Sequence, residues 1–281
     1  MILVAGGDSF TFGSELKDQR GPSPSNLTYP ALLSQQNNLS YKCVAQAGAA
    51  NNGITRLVLA ECEHLKKQNF AVIITWTFPN RYEFRFNYNT GQRYSPWFSI
   101  NSWTTYDDIN KIENEYRTKN EDILNDQKKQ LERAKKTGVA DFAKSFFMHV
   151  GDNEYYELYS TFREILFLQN YLEINHIPYM FMAANNTFYD HPNYLRQQDV
   201  YLDGLCNQIL WDKWFFFEPG KLANETIEPR GFYQWAVENK YPIGATHPLE
   251  EAHSAAAELI KDKFNELVTK PLEQNSIRNQ I

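Results

Sequence analysis

The sequence predicts an α/β domain of three layers, with helices on both faces of a parallel five-stranded sheet. Three observations predict it. Short apolar runs end in turn residues. Those runs alternate with helical patterns. The runs are apolar throughout rather than alternating, as strands covered on both faces are.

Ile2 to Ala5, closed by Gly6-Gly7, reads as the first strand. A helix is expected over 29–37, a second strand from Tyr41 to Ala45, a helix over 53–68 and a third strand from Ala71 to Trp76. A helix over 153–175 leads through Pro178 to a fourth strand, Tyr179 to Ala183. A helix over 193–212 leads to a fifth, Trp214 to Phe217, stopped by Glu218-Pro219-Gly220. The last helix runs from about 248 to 268. Strands joined by helical crossovers give the doubly wound arrangement, whose ligands bind beyond the carboxyl ends of the strands.

Between the third strand and the helix at 153 the spacing is far longer than a normal crossover. The stretch 76–116 holds 12 aromatic residues in 41 positions, where the chain average of 15% gives about 6. Residues 107–136 are charged with mixed signs and carry Ile109, Ile112, Tyr116, Ile123 and Leu131 on one face, the pattern of an amphipathic helix. The expectation is one domain over 1–281 with an aromatic and helical insertion, or lid, over 77–150.

Composition narrows the function. The chain has 281 residues, 28 basic against 34 acidic, for a net charge of −6. That leaves no basic surplus for phosphates and argues against nucleic-acid binding. No apolar run approaches the length of a membrane helix, and Met1 to Gly7 lacks the basic region of a secretion signal. The expected setting is therefore cytoplasmic, without a membrane partner. Cys43, Cys62 and Cys206 are odd in number and far apart, so they read as buried free thiols. No metal-ligand spacing occurs, and His247 and His253, six apart, do not share a helical face.

Four segments can carry chemistry. Gly7-Asp8-Ser9 follows the first strand, and a sharp glycine turn there can expose the Ser9 hydroxyl. A helix beginning just after it would favour an oxyanion, while the bland alternative is Ser9 as a helix N-cap. In the run from Ala45 to Gly53, the Gly48 N–H can donate to an oxyanion. Asn51 is either a polar contact or a cap. After the third strand, Thr77 and Asn80 can supply donors at the same edge. Arg81 and Glu83 can bind substrate or form ion pairs, with a loop ion pair favoured for Glu83. In the run from Gly244 to His253, His247 stands at a helix entrance opened by Pro248. An imidazole is the usual base for a serine nucleophile. His253 is expected to pack or cap. His64, His149, His176 and His191 lack a partner pattern.

In this order the segments resemble the SGNH/GDSL hydrolases. Gly7-Asp8-Ser9 matches the family's first block, Gly48 its second, and Thr246-His247-Pro248 the histidine half of its last. The resemblance implies a flavodoxin-like α/β/α fold, an ester hydrolase and no cofactor. Ser9 is implied as nucleophile and His247 as base. The oxyanion hole is implied at Gly48 with Asn80 or Thr77, and Asp8, Asn51, Trp76 and Arg81 are placed as substrate contacts. The third block departs, reading Trp76-Thr77-Phe78-Pro79-Asn80. In the last block Gly244 stands where the family has an Asp, three before the histidine. This leaves a Ser–His dyad held by a backbone carbonyl, reduced activity, or a carboxylate from elsewhere. The expected substrate is a small-molecule or carbohydrate ester, with a short acyl or O-acetyl group. The alternatives are a catalytically weak or inactive binding protein on the same fold, or a component of a larger assembly.

Overall fold

A computed structural model of the protein describes residues 1–87, 97–106, 121–187, 199–221 and 227–278. Four parallel strands form the central sheet: β1 (Ile2–Gly6), β2 (Ser40–Cys43), β3 (Phe70–Trp76) and β6 (Tyr179–Ala183). Their order is β2-β1-β3-β6, with Ala5 opposite Cys43, Gly6 opposite Ile74 and Trp76 opposite Ala183.

Alternate strand residues face opposite layers, because side chains along a strand point up and down in turn. Val4, Val72, Ile74, Trp76 and Phe181 pack with α3 (Asn51–Leu65) and α6 (Glu154–Ile174). Leu3, Ala71, Ile73, Met180 and Met182 pack with α2 (Tyr29–Gln36), α8 (Phe232–Glu238) and α9 (Glu250–Arg278). The strands β1, β3 and β6 are thus covered on both faces, which explains their apolar runs, while the edge strand β2, Ser-Tyr-Lys-Cys, alternates exposed and half-buried residues. Helix α3 lies close enough to β1 that a Cβ on Gly6 would fall 2.3 Å from Val58 Cγ2.

The fifth predicted strand is a correction. Trp214 makes a single parallel bridge to Phe181, and the Phe215 N–H donates to the Phe181 carbonyl at 2.8 Å. Pairing stops there because Phe217 opens β7 (Phe217–Lys221), which turns away to pair antiparallel with β8 (Ile227–Arg230). Pro219, without an N–H, cannot extend a parallel ladder. The helix expected over 193–212 is only α7 (Val200–Cys206), with 193–198 outside the described residues. The last helix starts at Glu250 rather than 248, because Pro248 bridges Ile243 and the Leu249 N–H bonds the Pro242 carbonyl.

Between β3 and α6 lie a hairpin of β4 (Tyr82–Arg85) and β5 (Trp97–Ile100), α4 (Glu121–Lys136), α5 (Val139–Phe146) and a π-turn at Phe147–Gly151. The first half of the expected amphipathic helix, 107–120, lies outside the described residues. Tyr82, Ile100, Ala134, Val139, Ala140 and Ala143 form a small core of their own. Phe84 meets Phe142 and Phe146 edge-on at 4.9 and 5.2 Å.

The hairpin is fastened to α3. Arg56 grips Glu83 through two nitrogens at 2.7 and 2.8 Å, and its guanidinium lies 4.6 Å from the Trp97 ring centre. The Asn52 amide bonds both the N–H and the carbonyl of Glu83, at 2.9 and 2.7 Å. Glu83 is therefore an ion-pair residue.

Candidate active site

β1 delivers Ser9 at the carboxyl edge of the sheet. Gly7 makes the turn possible: a Cβ there would lie 2.2 Å from Thr11 Oγ1. Asp8, not Ser9, caps the short helix α1 (Ser9–Phe12), accepting from the Phe10 N–H at 3.0 Å. The Ser9 hydroxyl is thereby released from capping.

His247 Nε2 lies 2.7 Å from Ser9 Oγ. The histidine sits in a turn whose Gly244 N–H donates to the His247 carbonyl at 2.8 Å. The Phe10 ring packs edge-on against the imidazole at 4.8 Å. On the far side, His247 Nδ1 is 2.7 Å from Glu15 Oε1 and 2.8 Å from Thr246 Oγ1. If Nδ1 carries its proton toward Glu15, Nε2 is left to accept from Ser9. His247 and Glu15 are largely buried, with 14% and 12% of their side chains exposed.

Glu15 was not among the residues singled out from sequence. It follows the Gly-Asp-Ser block by six positions, and local pattern gives no reason to pair it with a histidine 232 residues away. The available signal was indirect: a glycine at 244, where the resembled family has an acid, and an acid six residues past Ser9. Burial raises the Glu15 carboxyl, but the hydrogen bond and charge of His247 and the bonds from Thr246 outweigh it. The group titrates below its ordinary 4.5. A folded value below the unfolded one makes the ionised carboxylate stabilising above about pH 4.5. That contribution is lost as pH falls through the folded value. Urea melts of wild type and Glu15→Gln are therefore expected to differ most near neutrality and to converge only in acid, as pH falls below 4.5 and through the folded value.

Gly48 follows β2 and Asn80 follows β3, the two strands that flank β1. Gly48 has φ +75° in the left-handed region, with open space where a Cβ would stand. Its turn is tied to the serine loop by the Gln46 N–H bonding the Gly7 carbonyl at 3.2 Å. Among the described residues neither the Gly48 N–H nor the Asn80 side chain has a hydrogen-bond partner. Thr77 differs. Its hydroxyl donates to Asp8 Oδ2 at 2.5 Å and its N–H to Asn51 Oδ1 at 2.9 Å, so both donors are engaged.

The residues placed as substrate contacts are framework instead. Asp8 is fully buried and takes Arg81 Nη1 at 3.0 Å; Arg81 also stacks over Phe78 at 4.4 Å. The Asn51 amide, 3% exposed, is spent on Thr77 and on Thr161 Oγ1 at 3.2 Å. Trp76 is 1% exposed and meets Phe181 edge-on at 5.4 Å. His253 caps α2, accepting from the Tyr29 N–H at 3.2 Å. Burial pushes its imidazole down to about 3, which keeps it neutral for that task. His191 lies outside the described residues.

Among the described residues no cluster of His, Cys, Asp or Glu is arranged to hold a metal, and no helix is long and apolar enough to cross a membrane. No family model and no curated protein matches the chain. Three solved structures are similar to it. One is the psychrotrophic esterase EstA from Pseudoalteromonas sp., at 13% identity and TM-score 0.43, over 97% of this chain and 98% of that one. The second is a putative lipolytic protein of the G-D-S-L family from Desulfitobacterium hafniense, at 14% and 0.42, over 93% and 98%. The third is a putative acylhydrolase from Bacteroides fragilis, at 12% and 0.40, over 95% and 88%. The chain's own features, a parallel sheet between helical layers and a serine after the first strand faced by His247, agree with the SGNH/GDSL resemblance that the order of its sequence blocks gives.

Proposed function

We propose that the protein is a serine ester hydrolase of the SGNH/GDSL type, acting on short acyl or O-acetyl esters, carbohydrate esters among them. The observation that carries this reading is the 2.7 Å approach of His247 Nε2 to Ser9 Oγ at the carboxyl edge of the sheet. That is the contact a general base makes with the hydroxyl it activates. Ser9 Oγ attacks the ester carbonyl while His247 takes its proton. The tetrahedral oxyanion is held by the N–H groups of Ser9 and Gly48 and by the Asn80 amide. His247 then protonates the leaving alcohol, and the acyl-serine is hydrolysed by water that His247 deprotonates in turn.

The binding-protein alternative is less well supported, since it needs His247 turned away or Ser9 spent on a cap, and Asp8 holds the cap. This reading keeps one domain over 1–281, with the segment 77–150 as an insertion bordering the site. It also keeps a cytoplasmic setting without nucleic-acid or membrane partners. The test is direct. Wild-type protein should hydrolyse a nitrophenyl acetate and be labelled on Ser9 by a fluorophosphonate, and Ser9→Ala should lose both. A wild-type protein that does neither is not an esterase.

A further inference from the structure

Resting on Ser9 as nucleophile and His247 as its base, we propose that Glu15 is the positioning carboxylate of this site, and that Gly244 is the vacancy it fills. The acid of the resembled family belongs at 244. Here a Cβ on Gly244 would lie 2.2 Å from Glu15 Oε2 and 3.3 Å from its Cδ. The Glu15 carboxylate therefore occupies the volume that a residue-244 side chain would enter. A carboxylate from the nucleophile's own segment and a side chain at 244 exclude each other.

The surroundings of Glu15 are those of a held acid. Besides His247 Nδ1 at 2.7 Å, it accepts from Thr246 Oγ1 at 2.8 Å and from the N–H groups of Ala245 and Thr246, at 2.5 and 3.2 Å. These donors come from the same turn as the histidine, so the carboxylate fixes the ring's backbone as well as its tautomer. Glu15 itself has φ +72°, a left-handed conformation that non-glycine residues seldom adopt. Such a conformation persists where its surroundings over-determine it, and it often marks a functional site. Gly13, at φ +79°, bends the chain just before it, and buried Leu16 and the Lys17 N–H bond to Glu250 Oε1 at 2.8 Å pin it just after. The carboxylate is thereby returned beneath the imidazole.

The experiment separates a positioning role from a tie that merely holds the 244–247 turn. Glu15→Ala is expected to lower kcat for a nitrophenyl acetate by about 10²–10⁴-fold, KM staying within about threefold, as loss of an orienting carboxylate does in serine proteases. Glu15→Ala/Gly244→Asp, which moves the acid across the vacated space, should recover at least about tenfold over Glu15→Ala. Gly244→Asp alone should be impaired, because two acids then compete for one volume. A readout free of turnover is the far-downfield imidazole proton on His247 Nδ1, identified by its loss in His247→Ala. It should be present in wild type, absent in Glu15→Ala and restored in the double variant. Three outcomes overturn the proposal: a Nδ1 proton missing from wild type or surviving in folded Glu15→Ala, a Glu15→Ala with wild-type kcat, or a folded double variant no better than Glu15→Ala. If wild type proves unreactive toward esters and phosphonates, the hydrolase reading falls while the proton resonance still decides the role of Glu15.

Discussion

His247→Ala is expected to lower kcat by about five to six orders of magnitude, and Ser9→Ala by a similar factor. The double variant should be no worse than either single. The reason is geometric: at 2.7 Å the two groups share one proton, and neither has a catalytic function without the other. Additive losses, measured as kcat on one ester for the singles and the double, would show that the two act on separate steps. The rate remaining in the variants measures what the Ser9 and Gly48 amides and the Asn80 side chain contribute without a nucleophile. KM should move little, since neither side chain is needed to hold the ground-state ester.

Arg81→Ala should cause the largest loss of stability, about 3–5 kcal/mol, read as a shift of the urea midpoint at constant slope. Asp8 has no exposed surface, and its three partners are the Phe10 N–H, the Thr77 hydroxyl and Arg81. Removing the guanidinium strands a carboxylate in the interior with two neutral donors, and that desolvation is not recovered elsewhere. Asp8→Asn/Arg81→Met, which removes both charges, should regain much of the loss, because a buried pair costs most when only one member is taken away. Because Asp8 precedes Ser9 and caps its helix, Arg81→Ala should also lower kcat. A variant with an unchanged urea midpoint would mean that solvent reaches Asp8.

Much of the fold was legible because parallel strands buried on both faces leave a nearly unbroken apolar signature. Ile2 to Gly6, Phe70 to Trp76 and Tyr179 to Ala183 all show it, and Gly6-Gly7 stops the first. The fifth strand was misread for the same reason. Trp214 to Phe217 is apolar throughout, but its aromatic rings go to two different cores, and from Phe217 onward the backbone pairs with β8 instead. Ser9 and His247 were legible since chemistry restricts which side chains can stand after a first strand or before a last helix. Glu15 was not legible, because its partner is fixed by a tertiary return of the chain. Asp8, Asn51, Trp76 and Arg81 were assigned to the substrate on position alone. Position at a sheet edge does not distinguish a side chain facing the cleft from one bonded beneath it. The aromatic excess divides similarly: Tyr82, Phe84, Phe146 and Phe147 fill a small core of their own.

The six-residue separation of Ser9 and Glu15 has a consequence for how the site comes into being. Two of its three groups are brought together by a tight local bend, while the third arrives across 238 residues of chain. Loop-closure entropy grows only slowly with length, but it must be met before any contact rewards it, so distant pairings form late. The Ser9 loop can take shape with β1, yet it stays without its partner until the 244–247 turn docks. During synthesis on the ribosome the Ser9 loop therefore lacks its histidine until the 244–247 turn has emerged, and the histidine's arrival coincides with completion of the helical layer that α9 closes.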